Sequence, residues 1–265
     1  MKNKIIVNIF ILVFLIGIIY SGTNIILWFI DNKKNSDVQE ELKENVKIVE
    51  KIPEETVDNS PKESEYIKES EYIIDFERVK NINQDTVGYI KVQNTNIDYF
   101  VVKYTDNSFY LKHNIKKEKN RSGWIFMDYR NKNDGTDKNL IIYGHNTNDG
   151  SMFGTLKYIL NKDWYENENN HKIVLVTDTT QYEYQVFSTY VIEPEDYYIN
   201  TTFKNNNDFD KFVKKLKSRS KYEYKVDING EDKILTLSSC TEGGKKRVVL
   251  HAKLIEQEDR IEKVD

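Results

Sequence analysis

The hydrophobic pattern divides the chain into three regions. The first is a run of 26 uncharged, mostly apolar residues from Ile5 to Ile30. A charged stretch follows. From about Tyr72 onwards, short apolar or alternating runs recur between Asn, Asp, Gly and Lys residues. At about 1.5 Å per residue, the first run is long enough to cross a hydrocarbon core of roughly 30 Å. We therefore expect one membrane-spanning helix followed by one folded domain.

The apolar run is interpreted as an uncleaved transmembrane anchor at residues 5–30. The alternative is a cleaved signal peptide, but the run is too long for its apolar region and no A-x-A-like cleavage site follows. Lys2 and Lys4 precede the run, so the positive-inside rule favours a cytoplasmic N-terminus at residues 1–4. We expect a single-pass membrane protein with an extracytoplasmic body, in contact with lipid through residues 5–30.

The next segment, residues 31–71, has the composition of a charged linker. From Asp31 to Asp75 there are 14 acidic and 7 basic residues, a net charge of −7. Such a segment buries little apolar surface and is expected to act as a spacer that lifts the domain off the membrane. The alternative is a partner-binding segment. The pattern is compatible with helical turns at Val38–Ile52 and from Ser64 to Ile82.

The remaining chain predicts a mainly β domain with added helices at residues 72–257, followed by a tail at 258–265. Eight runs rich in Val, Ile, Tyr and Thr are expected to form strands: Thr86–Val92, Ile97–Val102, Gly123–Asp128, Asn139–Gly144, Lys172–Thr177, Tyr182–Ile192, Lys233–Ser238 and Arg247–Leu254. Two runs predict helices, Ser151–Leu160 and the amphipathic Asp208–Ser220. Many strands with few helices indicate a β-barrel or a β-sandwich.

Composition limits the functions that this domain could have. The net charge is −4, and the absence of a basic excess argues against nucleic-acid binding. The single cysteine cannot form a disulfide within the chain. No C-x-x-C, H-E-x-x-H or G-x-x-x-x-G-K-[ST] motif occurs, so neither a metal nor a nucleotide cofactor is predicted.

That cysteine, Cys240, ends the strand-like run "LTLSSC" and is a candidate nucleophile. A thiol reacts as the thiolate and needs a basic or cationic neighbour. Of the four histidines, His145 lies at a strand end in "YGHN", where rigid scaffolds often present catalytic groups. Arg247 opens the strand after Cys240, and an antiparallel return would bring the two close together. Spacing alone leaves open whether these residues meet, and Lys245 or Lys246 could supply the same charge as Arg247.

Several segments resemble class B sortases, a family of cysteine transpeptidases of Gram-positive bacteria. "TLSSC" at Thr236–Cys240 is similar to the T-L-x-T-C active-site motif, and "RVVLHAKL" to the arginine strand after it. "YGHNTNDGSMFGTL" resembles the histidine segment. Further similar segments begin at Ile82, Asp106 and Ile125, and the Asp208–Ser220 helix fits the long helix before the cysteine strand. The resemblance spans roughly Tyr72 to Leu254.

The resemblance implies an eight-stranded β-barrel and a transpeptidase without cofactor or metal. Cys240 would form a thioacyl intermediate with the threonine of a C-terminal sorting signal, His145 would be the general acid and base, and Arg247 would hold the oxyanion. The partners would be surface proteins that carry sorting signals, and a peptidoglycan precursor or a pilin would supply the acceptor amine. The family pattern also suggests substrate-binding residues: Asn107, Leu111, Tyr198, Ile199 and Ser238.

Two features depart from the family pattern. Ser239 replaces the usual threonine but retains a hydroxyl, so little effect is expected. Only six residues separate Cys240 from Arg247, which affects the shape of the amine-entry side. Two other functions would use the same domain: a membrane-tethered cysteine endopeptidase that hydrolyses the same acyl-enzyme, and a non-enzymatic exported binding module in which Cys240 is merely buried.

Overall fold

The computed structural model describes residues 2–51, 69–241 and 245–260. Its helices are α1 (Lys2–Lys43), α2 (Phe76–Ile82), α3 (Lys162–Glu166) and α4 (Asn206–Ser218). Its strands are β1 (Val46–Lys51), β2 (Glu69–Ile74), β3 (Thr86–Val92), β4 (Asp98–Lys103), β5 (Phe126–Met127), β6 (Asn139–Gly144), β7 (Lys172–Val176), β8 (Thr180–Ile192), β9 (Ile234–Thr241) and β10 (Lys246–Asp259). Short 3-10 helices cover Phe109–Leu111, Leu156–Leu160, Glu168–His171 and Tyr197–Ile199.

Eight of these strands close into a barrel, in the order β10-β8-β7-β3-β4-β5-β6-β9. The pairs β4–β5 and β6–β9 are parallel and the others are antiparallel. Closure of a sheet leaves no unpaired edge, which a sandwich would retain. The structure therefore confirms the predicted mainly β fold with an eight-stranded barrel and resolves the choice between barrel and sandwich.

The apolar positions explain the two faces of the barrel wall. One cluster of buried residues forms the main core and includes Ile90, Phe100, Ile142 and Leu237. A second cluster lies outside, where α4 packs Phe209, Phe212, Val213 and Leu216 against β8 and β10. These four residues are the amphipathic face that the sequence predicts. Asn205 caps α4 by accepting a hydrogen bond from the Asp208 amide.

Some predicted elements differ from the observed ones in extent. The run Gly123–Asp128 pairs only over Phe126–Met127, and Ser151–Leu160 forms turns followed by a 3-10 helix over Leu156–Leu160. A positive φ of 50° at Met152 interrupts the helical conformation there. β10 also continues past residue 257, to Asp259.

The segment after the apolar run contains regular secondary structure, although its composition predicts a spacer. α1 continues without a break to Lys43, and β1 pairs with β2 in an antiparallel hairpin. The helical turns expected at Val38–Ile52 and from Ser64 to Ile82 are observed in part. Helix covers Val38 to Lys43 and Phe76–Ile82, whereas strands form at Val46–Lys51 and Glu69–Ile74. The alternation of "VKIVEK" favours strand. Pro53, Pro61 and the rest of residues 52–68 lie outside the described residues, as do residues 261–265.

α1 is long and apolar enough to cross a membrane. Beyond the apolar run, one face of the same helix docks on the barrel, where Val38 and Leu42 join the main cluster of buried residues. The apolar run and the barrel are thus connected by a packed part of the same helix.

Candidate active site

Three neighbouring strands end at the same rim of the barrel, and each carries one of the candidate catalytic residues. In the parallel pair β6–β9, Gly144 lies opposite Ser239. The next positions along these two strands are His145 and Cys240. In the antiparallel pair β9–β10, Cys240 lies directly opposite Arg247. Because paired strands are about 4.8 Å apart, the topology brings the three backbone positions together.

The local sequence explains why His145 is held at this rim. A Cβ atom at Gly144 would lie 2.7 Å from the Phe153 ring, so only glycine allows that ring to pack against the end of β6. The Phe153 amide also donates a hydrogen bond to the His145 carbonyl oxygen, at 2.9 Å. The strand end and the following loop therefore form one packed unit.

The imidazole of His145 is half-buried and contacts the main chain of another element. Its Nε2 atom lies 2.9 Å from the carbonyl oxygen of Leu111, at the end of the 3-10 helix Phe109–Leu111. A carbonyl oxygen only accepts hydrogen bonds, so Nε2 carries the proton and donates it. In the neutral imidazole this leaves Nδ1 as the basic nitrogen.

Arg247 lies in β10 between Cys240 on β9 and Ile192 on β8. Its side chain is half-buried, and Nη1 donates a hydrogen bond to the Lys246 carbonyl oxygen at 3.1 Å. The guanidinium group brings a permanent positive charge to the Cys240 strand. The side chain of Cys240 and residues 242–244 lie outside the described part of the chain. The expectation that the short Cys240–Arg247 connection affects the amine-entry side concerns these same residues.

A buried carboxylate, Asp128, connects the loops around this rim. Its fully buried side chain accepts hydrogen bonds from Asn107 Nδ2 at 3.0 Å and from the Tyr143 hydroxyl at 2.8 Å. Arg130 donates to both carboxylate oxygens, through Nε at 2.8 Å and Nη2 at 2.7 Å. A bidentate pair of this kind fixes both groups in one geometry.

The same arginine reaches the turn that contains Ile199. Arg130 Nη2 also donates to the Ile199 carbonyl oxygen at 2.9 Å. Burial opposes ionisation of Asp128, but the hydrogen bonds from Arg130 and Tyr143 outweigh it and hold the pKa of the Asp128 carboxyl below its ordinary value. The charge on Asp128 is therefore present at neutral pH and ties the Asn107 loop to the Ile199 turn.

The five residues that the family pattern suggests for substrate binding lie in different environments. The Asn107 side chain contacts Asp128 and accepts a hydrogen bond from the Tyr129 amide at 3.0 Å. Leu111 and Ile199 contribute the carbonyl oxygens described above. Tyr198 and Ser238 are both buried, and their hydroxyl groups are 2.9 Å apart. These two hydroxyl groups are within hydrogen-bonding distance of each other, and both side chains form part of the buried wall.

The described residues contain no group of three or more His, Cys, Asp or Glu side chains that could hold a metal ion.

Comparison with known proteins identifies the family. The sequence model of the sortase domain matches residues 90–255. The chain is 32% identical to sortase B of Staphylococcus aureus over 90% of its own length and 92% of that relative. This chain belongs to the sortase family. It is also 42% identical to sortase B of Listeria monocytogenes, over 67% of its length and 72% of that protein.

Solved sortase structures have the same fold. The crystal structure of sortase B from Bacillus anthracis in complex with AAEK1 superposes with a TM-score of 0.70 at 32% identity, over 86% of this chain and 99% of that one. The structure of Clostridium perfringens sortase B gives a TM-score of 0.65 at 36% identity, over 69% of this chain and all of the other. The resemblance to class B sortases is thereby confirmed, because these relatives and solved structures are all named sortase B.

Sequence reasoning did not find the Asp128–Arg130 pair in this sortase. Both residues lie in "IFMDYRN", which contributes to the resemblance but has no chemical signal of its own. An aspartate two residues before an arginine is common on protein surfaces. Only the fold shows that Asp128 is buried and that Arg130 bridges to Ile199.

Proposed function

We propose that this sortase is a class B transpeptidase that cleaves a C-terminal sorting signal after its threonine and transfers the protein to an amine. The observation that carries the proposal is the convergence of Cys240, His145 and Arg247 at the ends of β6, β9 and β10. A nucleophile, an acid–base group and a donor for the developing oxyanion are the groups that catalyse acyl transfer, and a cation such as Arg247 can act as that donor.

In the first half-reaction, the Cys240 thiol transfers its proton to His145, and the thiolate attacks the carbonyl carbon of the threonine. The new C–S bond forms and the oxygen becomes an oxyanion, which Arg247 stabilises by hydrogen bonding and charge. When the oxyanion collapses, the C–N bond breaks. His145 gives its proton to the leaving amine, and the threonine remains as a thioester on Cys240.

In the second half-reaction, an acceptor amine replaces the departed peptide. Its nitrogen attacks the thioester carbon and loses a proton to His145. The C–S bond breaks as the new amide forms, and His145 returns the proton to the thiolate. The acceptor is an amine of a peptidoglycan precursor or of a pilin. Water in the same position would make the chain an endopeptidase.

The sorting signal is proposed to lie along the rim between the Asn107 loop and the Ile199 turn. Asn107, Leu111 and Ile199 would contact it directly. Tyr198 and Ser238 are buried against each other, which favours a role for this pair in shaping the wall rather than in donating hydrogen bonds to the peptide. Residues 5–30 would anchor the enzyme in the cell membrane, with the N-terminus cytoplasmic and the barrel outside.

The test separates transfer from hydrolysis. The full chain in detergent is incubated with a pool of peptides that share a threonine and vary at its flanking positions, with and without triglycine or a diamino acid. Mass spectrometry is expected to show a peptide cleaved after threonine and ligated to the amine, and no product with Cys240→Ala. Hydrolysis alone would indicate an endopeptidase, and no turnover with any peptide would contradict both enzymatic functions.

A further inference from the structure

The part of α1 beyond the apolar run is joined to the barrel by a reciprocal pair of buried amides. Asn120 Nδ2 donates to Asn35 Oδ1 at 2.8 Å, and Asn35 Nδ2 donates to Asn120 Oδ1 at 3.2 Å. Both side chains are 3% exposed. Buried amides need partners for every donor and acceptor, so this pair fixes α1 in one register on the barrel.

The Asn35 amide also holds the chain next to Asn120. Asn35 Nδ2 donates to the Gly123 carbonyl oxygen at 3.1 Å. A second bond joins the same segments, from the Ser122 hydroxyl to Asn32 Oδ1 at 2.6 Å. The position of Gly123 therefore depends on the docked helix.

Gly123 in turn packs against the peptide that holds the histidine. Its φ is +56°, and a Cβ atom there would lie 2.3 Å from the Tyr110 carbonyl oxygen and 3.0 Å from that of Leu111. The next residue, Trp124, donates its amide to the Tyr110 carbonyl oxygen at 2.9 Å. No side chain fits between these two segments, so a shift of Gly123 displaces the Tyr110–Leu111 peptide.

The Leu111 carbonyl oxygen then accepts the hydrogen bond from His145 Nε2 at 2.9 Å. This bond sets both the orientation of the imidazole and the nitrogen that carries the proton. A continuous series of contacts thus runs from Asn35 through Gly123 and Leu111 to His145. Each contact is direct. The series begins with the Asn35–Gly123 hydrogen bond at 3.1 Å and ends with the Leu111–His145 hydrogen bond at 2.9 Å.

We propose that the membrane-anchor helix is a positioning element of the active site, with Asn35 as its positioning residue. Docking of α1 places the Leu111 carbonyl against which His145 is oriented, so the helix contributes to catalysis in addition to tethering the enzyme. The inference rests on the proposed function, because the orientation of His145 affects turnover only if this residue transfers protons.

The test compares Asn35→Asp with Asn207→Asp in the full chain in detergent. The first change keeps the shape of the side chain but replaces the donor to Gly123 with an oxygen. The second makes the same change at an exposed position of α4. A misplaced acid–base group is expected to lower kcat about 10- to 100-fold. KM for the peptide is expected to change less than kcat, because Leu111 is the only proposed peptide contact that lies in the displaced segment.

Two readouts distinguish positioning from loss of structure. The histidine-dependent limb of the kcat/KM pH profile is expected to shift in Asn35→Asp and not in Asn207→Asp. In ¹⁵N NMR spectra, the Nε2–H tautomer of His145 is expected to be lost in Asn35→Asp alone. If Asn35→Asp unfolds near the assay temperature, Asn35→Ser replaces it, since the serine side chain is shorter, loses the amide donor to Gly123 and adds no charge.

The outcomes separate the inference from the proposed function. If the parent chain transfers peptides and Asn35→Asp matches Asn207→Asp in kcat, pH profile and tautomer, the positioning role is wrong. If the parent chain transfers and hydrolyses nothing, the proposed function is wrong, and the tautomer measurement then decides by itself whether α1 orients His145.

Discussion

The role proposed for Arg247 depends on the shape of its guanidinium group as well as on its charge. A lysine at this position keeps the cation but loses the planar, multidentate donor group that suits an oxyanion. Removal of one oxyanion donor typically costs about 100- to 1,000-fold in rate. We expect Arg247→Lys to lower kcat by a factor in this range, measured by peptide cleavage. Lys245→Arg, a change at an exposed neighbour, serves as the control and should leave kcat unchanged. Near-normal turnover of Arg247→Lys would refute the geometric role.

Asp128 is expected to hold neighbouring segments together and not to take part in the reaction. In Asp128→Asn, either orientation of the amide turns its NH₂ group towards the donors Arg130, Tyr143 or Asn107. Loss of such charge-assisted bonds costs about 1.5–3 kcal/mol. We expect a lower melting temperature at pH 7 and a raised KM, because the Asn107 loop and the Ile199 turn lose their common anchor.

The pH dependence of this effect has a defined sign. The pKa of Asp128 is lowered in the folded protein, so its contribution to stability is present above the ordinary aspartate pKa of about 3.9. The contribution is lost as the pH falls through the folded value. The melting temperatures of Asp128→Asn and the parent chain should therefore converge below roughly pH 4. Asp37→Asn, at an exposed position on α1, should match the parent chain throughout.

At the scale of elements, the sequence pattern predicts best where packing and periodicity agree. Thr86–Val92 and Asn139–Gly144 form strands with the predicted bounds, because their apolar residues face a buried wall on one or both sides. The pattern fails where one backbone position decides the outcome, as with the left-handed conformation of Met152. It also misses the β1–β2 hairpin, whose charged residues resemble a linker in composition.

His251 connects three neighbouring strands through a buried hydrogen-bond chain. Its Nε2 lies 2.9 Å from the Tyr190 hydroxyl of β8, and its Nδ1 lies 2.9 Å from the Thr236 hydroxyl of β9. Thr236 donates to Asn139 Oδ1 at 2.6 Å, so its hydroxyl oxygen accepts from Nδ1–H and leaves Nε2 to accept from Tyr190. Burial lowers the pKa of His251 to about 3, and the ring stays neutral in the folded barrel.

The buried histidine makes stability fall in mild acid. In the unfolded chain His251 takes up a proton below about pH 6.5, whereas the folded barrel stays unprotonated to about pH 3. Between these values the free energy of unfolding falls by up to about 1.4 kcal/mol per pH unit. We expect His251→Phe to be less stable at pH 8 but to show a smaller slope in denaturant titrations between pH 4 and 6. An unchanged slope in His251→Phe would contradict a neutral His251.

At the scale of the whole molecule, the docked face of α1 reaches into the apolar run. Arg121 Nη1 donates to the Asn24 carbonyl oxygen at 3.2 Å, and Asn24 lies within the 26-residue apolar run. The barrel is therefore expected to rest close to the membrane surface instead of being lifted off it by residues 31–71.

Cross-linking measures this arrangement in membranes. In a Cys240→Ala background, the pair Asn24→Cys and Arg121→Cys should be joined by a short bis-maleimide. The pair Ile19→Cys and Arg121→Cys should not be joined, because residue 19 is more than a helical turn further into the apolar run. Equal cross-linking of both pairs, or of neither, would show that the barrel does not dock on α1 in this way.

The candidate site could be predicted only in part from the sequence. The chemistry of Cys240, His145 and Arg247 follows from residue type, but nearly a hundred residues separate His145 from Cys240. Their meeting depends on the parallel β6–β9 pair, which no local pattern specifies. The resemblance to sortases supplied that step. Asn35 and Asp128 were not predicted, because a buried amide or carboxylate looks like any other polar residue until the fold surrounds it.

The central claim is that Cys240 forms an acyl intermediate with a threonine carbonyl, and mass spectrometry of the trapped intermediate tests it most directly. The full chain is mixed with the threonine-containing peptide pool without any amine, quenched in acid and digested. The account predicts that the fragment containing Cys240 gains the mass of a peptide ending at threonine, and that Cys240→Ala folds but gains nothing. Cleavage after threonine that persists in Cys240→Ala, with no adduct on the parent chain, would contradict the account.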